Sequence, residues 1–414
     1  MMDGAPGMAG HVVIVGASHA GVQAAQSLRQ GGWSGPITLL SAEDRLPYQR
    51  PDLSKAFLTE DRPDAPPLKG LPFYEANDIA LKLNCRVTAI DRALRRVHTD
   101  SGETLCYDRL ILATGATPRR LSAAAENIHV LRDLTDARAL RKALRPGQRI
   151  AVIGGGFIGL EVAAAARKAG AGVILFEAAP RCLARALPAV ATEVLLARHR
   201  AEGVDLRLAC GPVEAVLDGT RARALRLADG REIRCDAVVA GIGCTAETGL
   251  AQAAGLTLAA GGIAVDAALV TSDPAIQAIG DCAAFTPPGT GAPLRLESIQ
   301  NAADQGRHAA AMLLGAATPF AAVPWFWSHQ YDLRLQMAGF PCPDAPALLR
   351  GTPGEAGFSV LHLDARQRLV SAVSLNAAAD HMAARRLIAA GVPLDPARAA
   401  DPGQPLLHAQ ADAA

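Results

Sequence analysis

Two copies of a glycine-rich strand–turn–helix pattern constrain the fold of this 414-residue chain more than any other feature. In the first copy the β-branched run His11–Val15 leads into Gly16–Gly21, and in the second Arg149–Ile153 leads into Gly154–Gly159. In such turns the first glycine permits a tight bend, the second admits a pyrophosphate and the third lets the helix pack on the strand. The repeat therefore predicts two dinucleotide-binding βαβ units.

Each unit continues into a second strand with an acidic residue near its end. Gly172–Phe176 is followed directly by Glu177, whereas Ile37–Leu40 is followed less directly by Glu43. An acid at this point accepts hydrogen bonds from ribose hydroxyls and repels a 2′-phosphate, so Glu177 favours NADH over NADPH. The first unit departs from the pattern at Ser18, which stands where the middle glycine is expected.

Composition and charge exclude several other classes of protein. The 41 Lys+Arg and 40 Asp+Glu residues give a net charge of +1, which argues against a broadly basic nucleic-acid binder. The eight cysteines are scattered and contain no CxxC pair, so we expect neither a metal site nor a disulfide framework. The first ten residues do not resemble a secretory signal, and prolines interrupt the uncharged run Ala309–Trp327. We therefore expect a cytoplasmic protein without a membrane span.

Further segments add to this framework. Leu110–Pro118 is a buried strand run followed by a turn of small residues. Thr271–Asp281 predicts a strand ending at Gly280, with Asp281 placed to bind a ribitol hydroxyl before a helix N-terminus, or simply to cap that helix. A C-terminal region from about Val323 contains predicted strands and a helix, followed by a Pro-rich tail after Pro393 that we expect to be frayed. The strands are Phe358–Leu363 and Leu369–Leu375, and the helix is Ala378–Ala390.

Together these residues resemble the FAD-dependent pyridine-nucleotide oxidoreductases, and within them the ferredoxin reductases that serve bacterial oxygenases. The segments specific to that group are Leu46–Lys55, Gly154–Glu161, Leu296–Ala302 and Pro324–Ser328. The resemblance implies an α/β, glutathione-reductase-like fold, with two Rossmann-like dinucleotide-binding domains and a C-terminal α+β domain. The implied boundaries are 1–117 and 245–322 for a split FAD-binding domain, 118–244 for the NAD-binding domain and 323–414 for the C-terminal domain.

The resemblance also assigns binding residues position by position. For FAD it implies Gly16, Ser18, Ala20, Gly21, Glu43, Arg50, Lys55, Val87, Ala113, Thr114, Gly115, Arg132, Asp281, Ile299 and Trp327. For NADH it implies Gly154, Gly156, Phe157, Ile158, Gly159, Glu161, Glu177 and Gly243. It gives catalytic roles to Lys55, Glu161 and Trp327, with Lys55 as a preorganised cation near the flavin.

The three catalytic candidates also have structural interpretations. Lys55 could be a surface lysine. Glu161 could position the nicotinamide, pair with Lys55 or be a solvated helix residue. Trp327 belongs to an aromatic group that could form either a small core or a wall against the flavin. That group comprises Trp325, Phe326, Trp327 and Tyr331.

The implied activity is hydride transfer from NADH to FAD, followed by single-electron transfer to a small two-iron ferredoxin that serves a haem-thiolate or Rieske-type oxygenase. The lack of a redox-active cysteine pair disfavours disulfide reduction. An NADH oxidase, a nitrite-reductase flavin module and a signalling flavoprotein like apoptosis-inducing factor remain alternatives. Because such ferredoxins are acidic, we expect a locally basic docking face near Arg295, Arg307 and Arg334.

Overall fold

The computed structural model describes residues 9–60, 62, 64–288, 290–340 and 346–411. The chain divides into two compact units, each of which contains one of the two glycine turns. Unit 1 comprises Met1–Gln49, Pro66–Thr117 and Cys244–Ala322; unit 2 comprises Arg50–Ala65, Pro118–Gly243 and Val323–Ala414. The predicted three-domain division stays a prediction.

Unit 1 is built on a five-stranded parallel sheet. Its strands, in spatial order, are Ile276–Ala278, Arg109–Leu112, Val12–Val15, Ile37–Leu40 and Ile79–Lys82. Every residue of the strands Val12–Val15 and Ile37–Leu40 is buried, and all but Thr38 are apolar, as expected for a parallel sheet covered on both faces. The first strand begins at Val12, one residue later than predicted.

The remaining elements of unit 1 surround this sheet. A second sheet is antiparallel, with Val87–Asp91, Arg96–Thr99 and Thr104–Cys106, and a third has Leu258–Ala259, Gly262–Ala264 and Ala283–Ala284. Strands Ala116–Pro118 and Cys244–Ala246 form a two-stranded sheet. The helices are His19–Gln30, Leu71–Ala76, Gly249–Ala253 and Ile299–Leu313, with a 3₁₀ turn at Gly280–Cys282.

Unit 2 repeats the parallel-sheet architecture. Its five parallel strands are Val204–Arg207, Gly172–Phe176, Arg149–Ile153, Ala237–Ala240 and Ile128–His129. A three-stranded antiparallel sheet adds Glu214–Asp218, Arg221–Arg226 and Glu232–Arg234. The helices of this part are Ala56–Thr59, Leu134–Ala143, Phe157–Lys168 and Ala189–Ala201, with a 3₁₀ helix at Arg50–Ser54.

The C-terminal part of unit 2 is a five-stranded antiparallel sheet with helices. The strands, in spatial order, are Trp325–Gln330, Leu333–Gly339, Leu369–Leu375, Phe358–Leu363 and Leu348–Gly351. The helix Ala378–Ala390 occurs at the predicted residues. Among the residues that the structure describes, neither unit has a helix long and apolar enough to cross a bilayer.

The prediction of a frayed tail after Pro393 is wrong. A helix at Pro396–Ala400 and a 3₁₀ helix at Leu406–Ala409 follow it. Leu394 and Leu406 are buried in the same apolar cluster as Leu387. The Pro-rich composition led to the prediction of fraying. It could not show that these leucines pack against the helix Ala378–Ala390.

Candidate functional site

Both outer glycines of the first turn are required by close backbone approach. Gly16 has a φ of +112°, and a Cβ there would lie 2.2 Å from the carbonyl oxygen of Ala113. A Cβ at Gly21 would lie 2.0 Å from the carbonyl oxygen of Gly16. Any side chain at either position would therefore push the first strand, its turn and the helix His19–Gln30 apart.

The second turn has the same construction. Gly154 has a φ of +102°, and its Cβ would lie 2.3 Å from the carbonyl oxygen of Gly241. A Cβ at Gly159 would lie 2.1 Å from the carbonyl oxygen of Gly154. The same interatomic constraint thus occurs twice in one chain, once in each unit.

The middle position of the turn has no such constraint. A Cβ on Gly156 would meet no described atom within 4 Å. Ser18, at the corresponding place in unit 1, has an extended backbone with φ −122° and ψ −158°, which any residue adopts. The protein itself therefore tolerates Ser18, and the steric demand at this position would come from a bound pyrophosphate.

Each glycine turn leads directly into the N-terminus of a 12-residue helix. Ser18 and Gly156 are the N-cap residues, and at neither position does a side chain cap the backbone N–H groups of the first helical turn. The first-turn N–H groups and the helix dipole therefore favour an anion. Ala20, Phe157 and Ile158 lie in these first turns, and the Ile158 side chain is 45% exposed.

Two backbone amides hold the Glu177 carboxylate against the second glycine turn. Its Oε2 accepts a hydrogen bond from the Gly155 amide at 2.7 Å, and its Oε1 accepts one from the Ala179 amide at 2.8 Å. These bonds fix the carboxylate beside the turn and leave lone pairs for further donors. In unit 1, Glu43 Oε2 accepts from the Tyr48 hydroxyl at 2.7 Å, a partner that the sequence analysis did not identify.

The remaining predicted FAD residues of unit 1 lie at strand ends. Ala113 follows the strand Arg109–Leu112, and its carbonyl is the atom that excludes a side chain at Gly16. Thr114 donates from Oγ1 to the Glu247 carbonyl at 2.6 Å, and Gly115 has a φ of +76°. Val87 is buried in the adjoining core.

Asp281 lies in a different local structure from the one predicted. It is inside the 3₁₀ turn that starts at Gly280, and the next α-helix begins only at Ile299. The fully buried Gln305 accepts a hydrogen bond from the Gly280 amide at 2.7 Å, which ties this turn to the helix. The expectation of a helix N-terminus directly after Asp281 was wrong because the chain forms the short strand Ala283–Ala284 there instead.

Four residues predicted near FAD lie in unit 2, namely Arg50, Lys55, Arg132 and Trp327. The Arg50 guanidinium donates to the Arg132 carbonyl at 2.9 Å. The segment that carries Arg50 packs in unit 2 because Leu58 lies in its main apolar cluster. Gly243, predicted for NADH, is exposed, has a φ of +90° and accepts from the Arg119 amide.

A buried carboxylate in unit 2 collects three donors. Glu161, only 4% exposed, lies two residues after Gly159. Its Oε2 accepts from Lys55 Nζ at 2.8 Å and from the Ser54 hydroxyl, and its Oε1 accepts from the Ser328 hydroxyl at 2.6 Å. The pairing of Glu161 with Lys55 is thus the arrangement that the structure contains, and the interpretation of Glu161 as a solvated helix residue is wrong.

The aromatic group contributes both to a core and to a surface. The Phe326 ring is tilted against the Phe157 ring, with centroids 4.5 Å apart, and Phe326 packs against the main apolar cluster of unit 2. Trp327 lies beside Trp325 at 5.3 Å between centroids, and both rings are partly exposed. Phe326 therefore fits the core interpretation, whereas Trp327 keeps an accessible face.

The three candidate docking arginines differ in their surroundings. The Arg295 side chain is only 15% exposed, pairs with Glu297 at 2.7 Å and donates to the Asp281 carbonyl. Arg307 is half exposed and pairs with Asp304. Arg334 is exposed on its strand. The Arg295 guanidinium supports the turn at Asp281, and the docking role of all three arginines stays a prediction.

The sequence analysis missed the polar residues around Glu161. Ser54, Ser328, Gln330 and His199 are all buried, and none of them had been named as a site residue. Ser54 and Ser328 stand inside the segments that had carried the resemblance, so their hydroxyls were identifiable as possible donors. His199 had no sequence signal, because it lies in a helix far along the chain from the glycine turns.

Two parallel-sheet units, each with a glycine turn, a helix N-terminus and an acidic residue, define a protein that binds two dinucleotides. The donors and the space at both turns fit the pyrophosphates of FAD and NADH. The sequence profile of the pyridine nucleotide-disulphide oxidoreductases matches residues 10–306, and that of a reductase C-terminal domain matches residues 325–409. The chain therefore belongs to the pyridine nucleotide-disulphide oxidoreductase family, and the prediction of an FAD- and NADH-dependent oxidoreductase is confirmed.

Individual relatives are similar over nearly their whole length. Rhodocoxin reductase of Rhodococcus erythropolis is 43% identical over 395 residues, which cover 94% of this chain and 92% of the relative. The ferredoxin–NAD(+) reductase component of the anthranilate 1,2-dioxygenase system of Burkholderia cepacia is also 43% identical, with coverage of 94% and 97%. The solved structure of a covalent putidaredoxin reductase–putidaredoxin complex contains a chain that superposes with a TM-score of 0.91 at 37% identity, covering 96% of this chain and 97% of that one.

Proposed function

We propose that this chain is the NADH-dependent reductase that supplies electrons to a small, acidic two-iron ferredoxin of an oxygenase system. The observation that carries the proposal is the nearly full-length similarity to a reductase whose name states both a ferredoxin and a dioxygenase system. The terminal oxygenase would be of the haem-thiolate or the Rieske type, and we place the protein in the cytoplasm. Both of these points are predictions from the sequence.

The first glycine turn, which lies in unit 1, would hold FAD. The N-terminal amides of the helix His19–Gln30 would bind its pyrophosphate, Glu43 would accept from its adenosine ribose, and Asp281 would accept from its ribitol chain. Bound FAD supplies the redox chemistry, accepting a hydride and releasing electrons one at a time. Tyr48 orients the Glu43 carboxylate, because it occupies one of the two oxygens.

The second glycine turn, which lies in unit 2, would hold NADH. The amides at Gly156 and beyond would bind the pyrophosphate, and Glu177 would accept from both ribose hydroxyls. Because the Glu177 carboxylate is fixed by two backbone amides, it cannot swing away from an added 2′-phosphate. That fixed negative charge supports the preference for NADH.

Lys55, Glu161 and Trp327 are the proposed catalytic residues. The Lys55 ammonium, 23% exposed, is a cation whose position is set by a nearly buried anion. A charge held in place before the reaction stabilises developing charge without the cost of reorganisation. Trp327 adds a flat, partly exposed ring in the same unit.

Arg307 and Arg334 are the proposed contacts for the ferredoxin. Both are exposed cations, whereas Arg295 is held by Glu297 and the Asp281 carbonyl. Rim charges of this kind act mainly on association rate and are screened over a Debye length of about 8 Å at physiological ionic strength. Charge reversal should therefore slow the encounter with an acidic partner most strongly at low salt.

Steady-state reduction of an acidic two-iron ferredoxin by NADH tests the proposal. The purified protein, loaded with FAD, should reduce the ferredoxin at a rate that falls with added salt. Arg334→Glu and Arg307→Glu should slow this reduction at low salt and leave ferricyanide reduction unchanged. Arg231→Glu, a reversal on an exposed hairpin arginine, is the matched control. No ferredoxin reduction by the unmutated protein would overturn the function; equal effects of all three variants would remove only the docking face.

A further inference from the structure

A chain of hydrogen bonds leads from Glu161 into the interior of unit 2. Ser328, the donor to Glu161 Oε1, accepts from Gln330 Nε2 at 3.1 Å. The Gln330 Oε1 lies 2.8 Å from His199 Nε2, and His199 Nδ1 lies 3.4 Å from the Tyr331 hydroxyl. Ser328 and Gln330 are each 1% exposed and His199 is completely buried, so protein groups replace water along the chain.

The direction of these hydrogen bonds follows from the carboxylate at which the series ends. An ionised carboxylate only accepts, so the Ser328 hydroxyl proton must point to Glu161. Ser328 then accepts from the Gln330 amide nitrogen, and the Gln330 carbonyl must accept from His199 Nε2. Every hydrogen bond therefore points its proton toward Glu161, which requires the proton of a neutral His199 to be on Nε2.

The surroundings of His199 are consistent with this tautomer. Burial lowers the pKa of His199 from its ordinary value, although the Gln330 bond and Glu202 act in the opposite direction. Burial also raises the pKa of Tyr331, so its hydroxyl keeps its proton and donates to His199 Nδ1. The aromatic rings of these two residues also meet edge to face at 5.0 Å between centroids.

We infer that His199 and Gln330 are positioning residues that hold the Glu161 carboxylate, and through it the Lys55 ammonium, in the geometry used during hydride transfer from NADH. With Ser54 and Lys55 on one oxygen and Ser328 on the other, the carboxylate is held from both sides. A misplacement of about 1 Å in such a site can cost up to 100-fold in rate, even when its cause lies far from the chemistry. The inference rests on the proposed function.

A matched pair of substitutions separates positioning from packing. Gln and Met have similar length, but only Gln can donate from the position of His199 Nε2. His199→Gln should keep the limiting rate of flavin reduction by NADH within about two-fold, and His199→Met should lower it by about ten-fold. The dissociation constant for NADH should change less than two-fold in either, because neither variant touches the glycine turn. Equal limiting rates in the two variants, at equal thermal stability, would overturn the inference.

A second measurement does not depend on activity or on a variant that folds. Nitrogen-15 NMR of the histidine side chains in the FAD-loaded, unmutated protein should show His199 neutral and protonated on Nε2. A signal for His199 protonated on Nδ1 would reverse the order of donors and overturn the inference. Failure of NADH to bleach the flavin of the unmutated protein would overturn the proposed function instead, so the two failures are distinguishable.

Discussion

The ammonium of Lys55 lies 2.8 Å from the carboxylate of Glu161, although 106 positions separate the two residues in the chain. The two side chains are unequally buried, with 23% of Lys55 and 3% of Glu161 exposed. The cost of breaking this pair therefore depends on which partner is removed.

Lys55→Met should lower the free energy of unfolding by about 3–5 kcal/mol, because it leaves a buried carboxylate without its counter-charge. Glu161→Gln should cost less, about 1–3 kcal/mol, because the remaining ammonium reaches water. Denaturant unfolding of the FAD-loaded protein measures both. Lys82→Met is the control, since the Lys82–Glu103 pair is more than a third exposed at each end and should contribute at most about 1 kcal/mol. Similar losses for Lys55→Met and Lys82→Met would contradict the prediction.

Glu177→Ala should reduce the preference for NADH over NADPH by lowering kcat/KM for NADH. A charged hydrogen-bond partner contributes about 1–3 kcal/mol, which corresponds to roughly a 5- to 150-fold loss. The comparison is kcat/KM for both nucleotides in the unmutated and mutant proteins. Arg231→Ala, an exposed residue of the same unit, is a control for general effects of substitution. Equal use of NADH and NADPH by the unmutated protein would exclude this role of Glu177.

His381 makes stability sensitive to acid. It is 1% exposed, and burial lowers its pKa to about 4, with Arg385 as a smaller cause. Since the pKa in the unfolded chain is about 6.5, the stabilisation is complete above that pH and is lost as the pH falls toward 4. His381→Phe, which keeps a ring beside Trp325, should remove this dependence.

The measurement is the free energy of unfolding of both proteins between pH 7.5 and 4.5. The unmutated protein should lose more stability on acidification, by up to about 1.4 kcal/mol per pH unit at the steepest point. Other groups titrate equally in both proteins, so their contributions cancel in the difference. Parallel curves would show that His381 is not the group responsible.

Leu406→Ala should destabilise the C-terminal part of unit 2 by about 2–5 kcal/mol, the usual cost of emptying a buried leucine site. Leu406 is 2% exposed and lies in the cluster formed with Leu387 and Leu394. Leu349→Ala, on a leucine that is 41% exposed, is the control and should have little effect. Thermal unfolding of both variants measures the difference, and an unchanged midpoint for Leu406→Ala would mean that the tail packs only weakly.

The sequence by itself determined the local architecture around the two glycine turns. Ile37–Leu40, Arg149–Ile153 and Gly172–Phe176 form strands at the predicted residues. These elements were predictable because buried parallel strands are mostly apolar runs and because the close approach of Gly21 to Gly16, and of Gly159 to Gly154, excludes a side chain at Gly21 and Gly159. Such constraints act within a few residues, so the sequence alone is enough to predict their effect.

Only the tertiary structure decided which polar groups meet around Glu161. Ser328 comes from a strand 167 positions further along, and His199 meets Gln330 across 131 positions. The frayed tail was wrong for the same reason, since Leu394 and Leu406 are buried only once the C-terminal helix supplies a partner surface. Burial and hydrogen bonding of this kind depend on distances between remote segments, which local composition and periodicity do not contain.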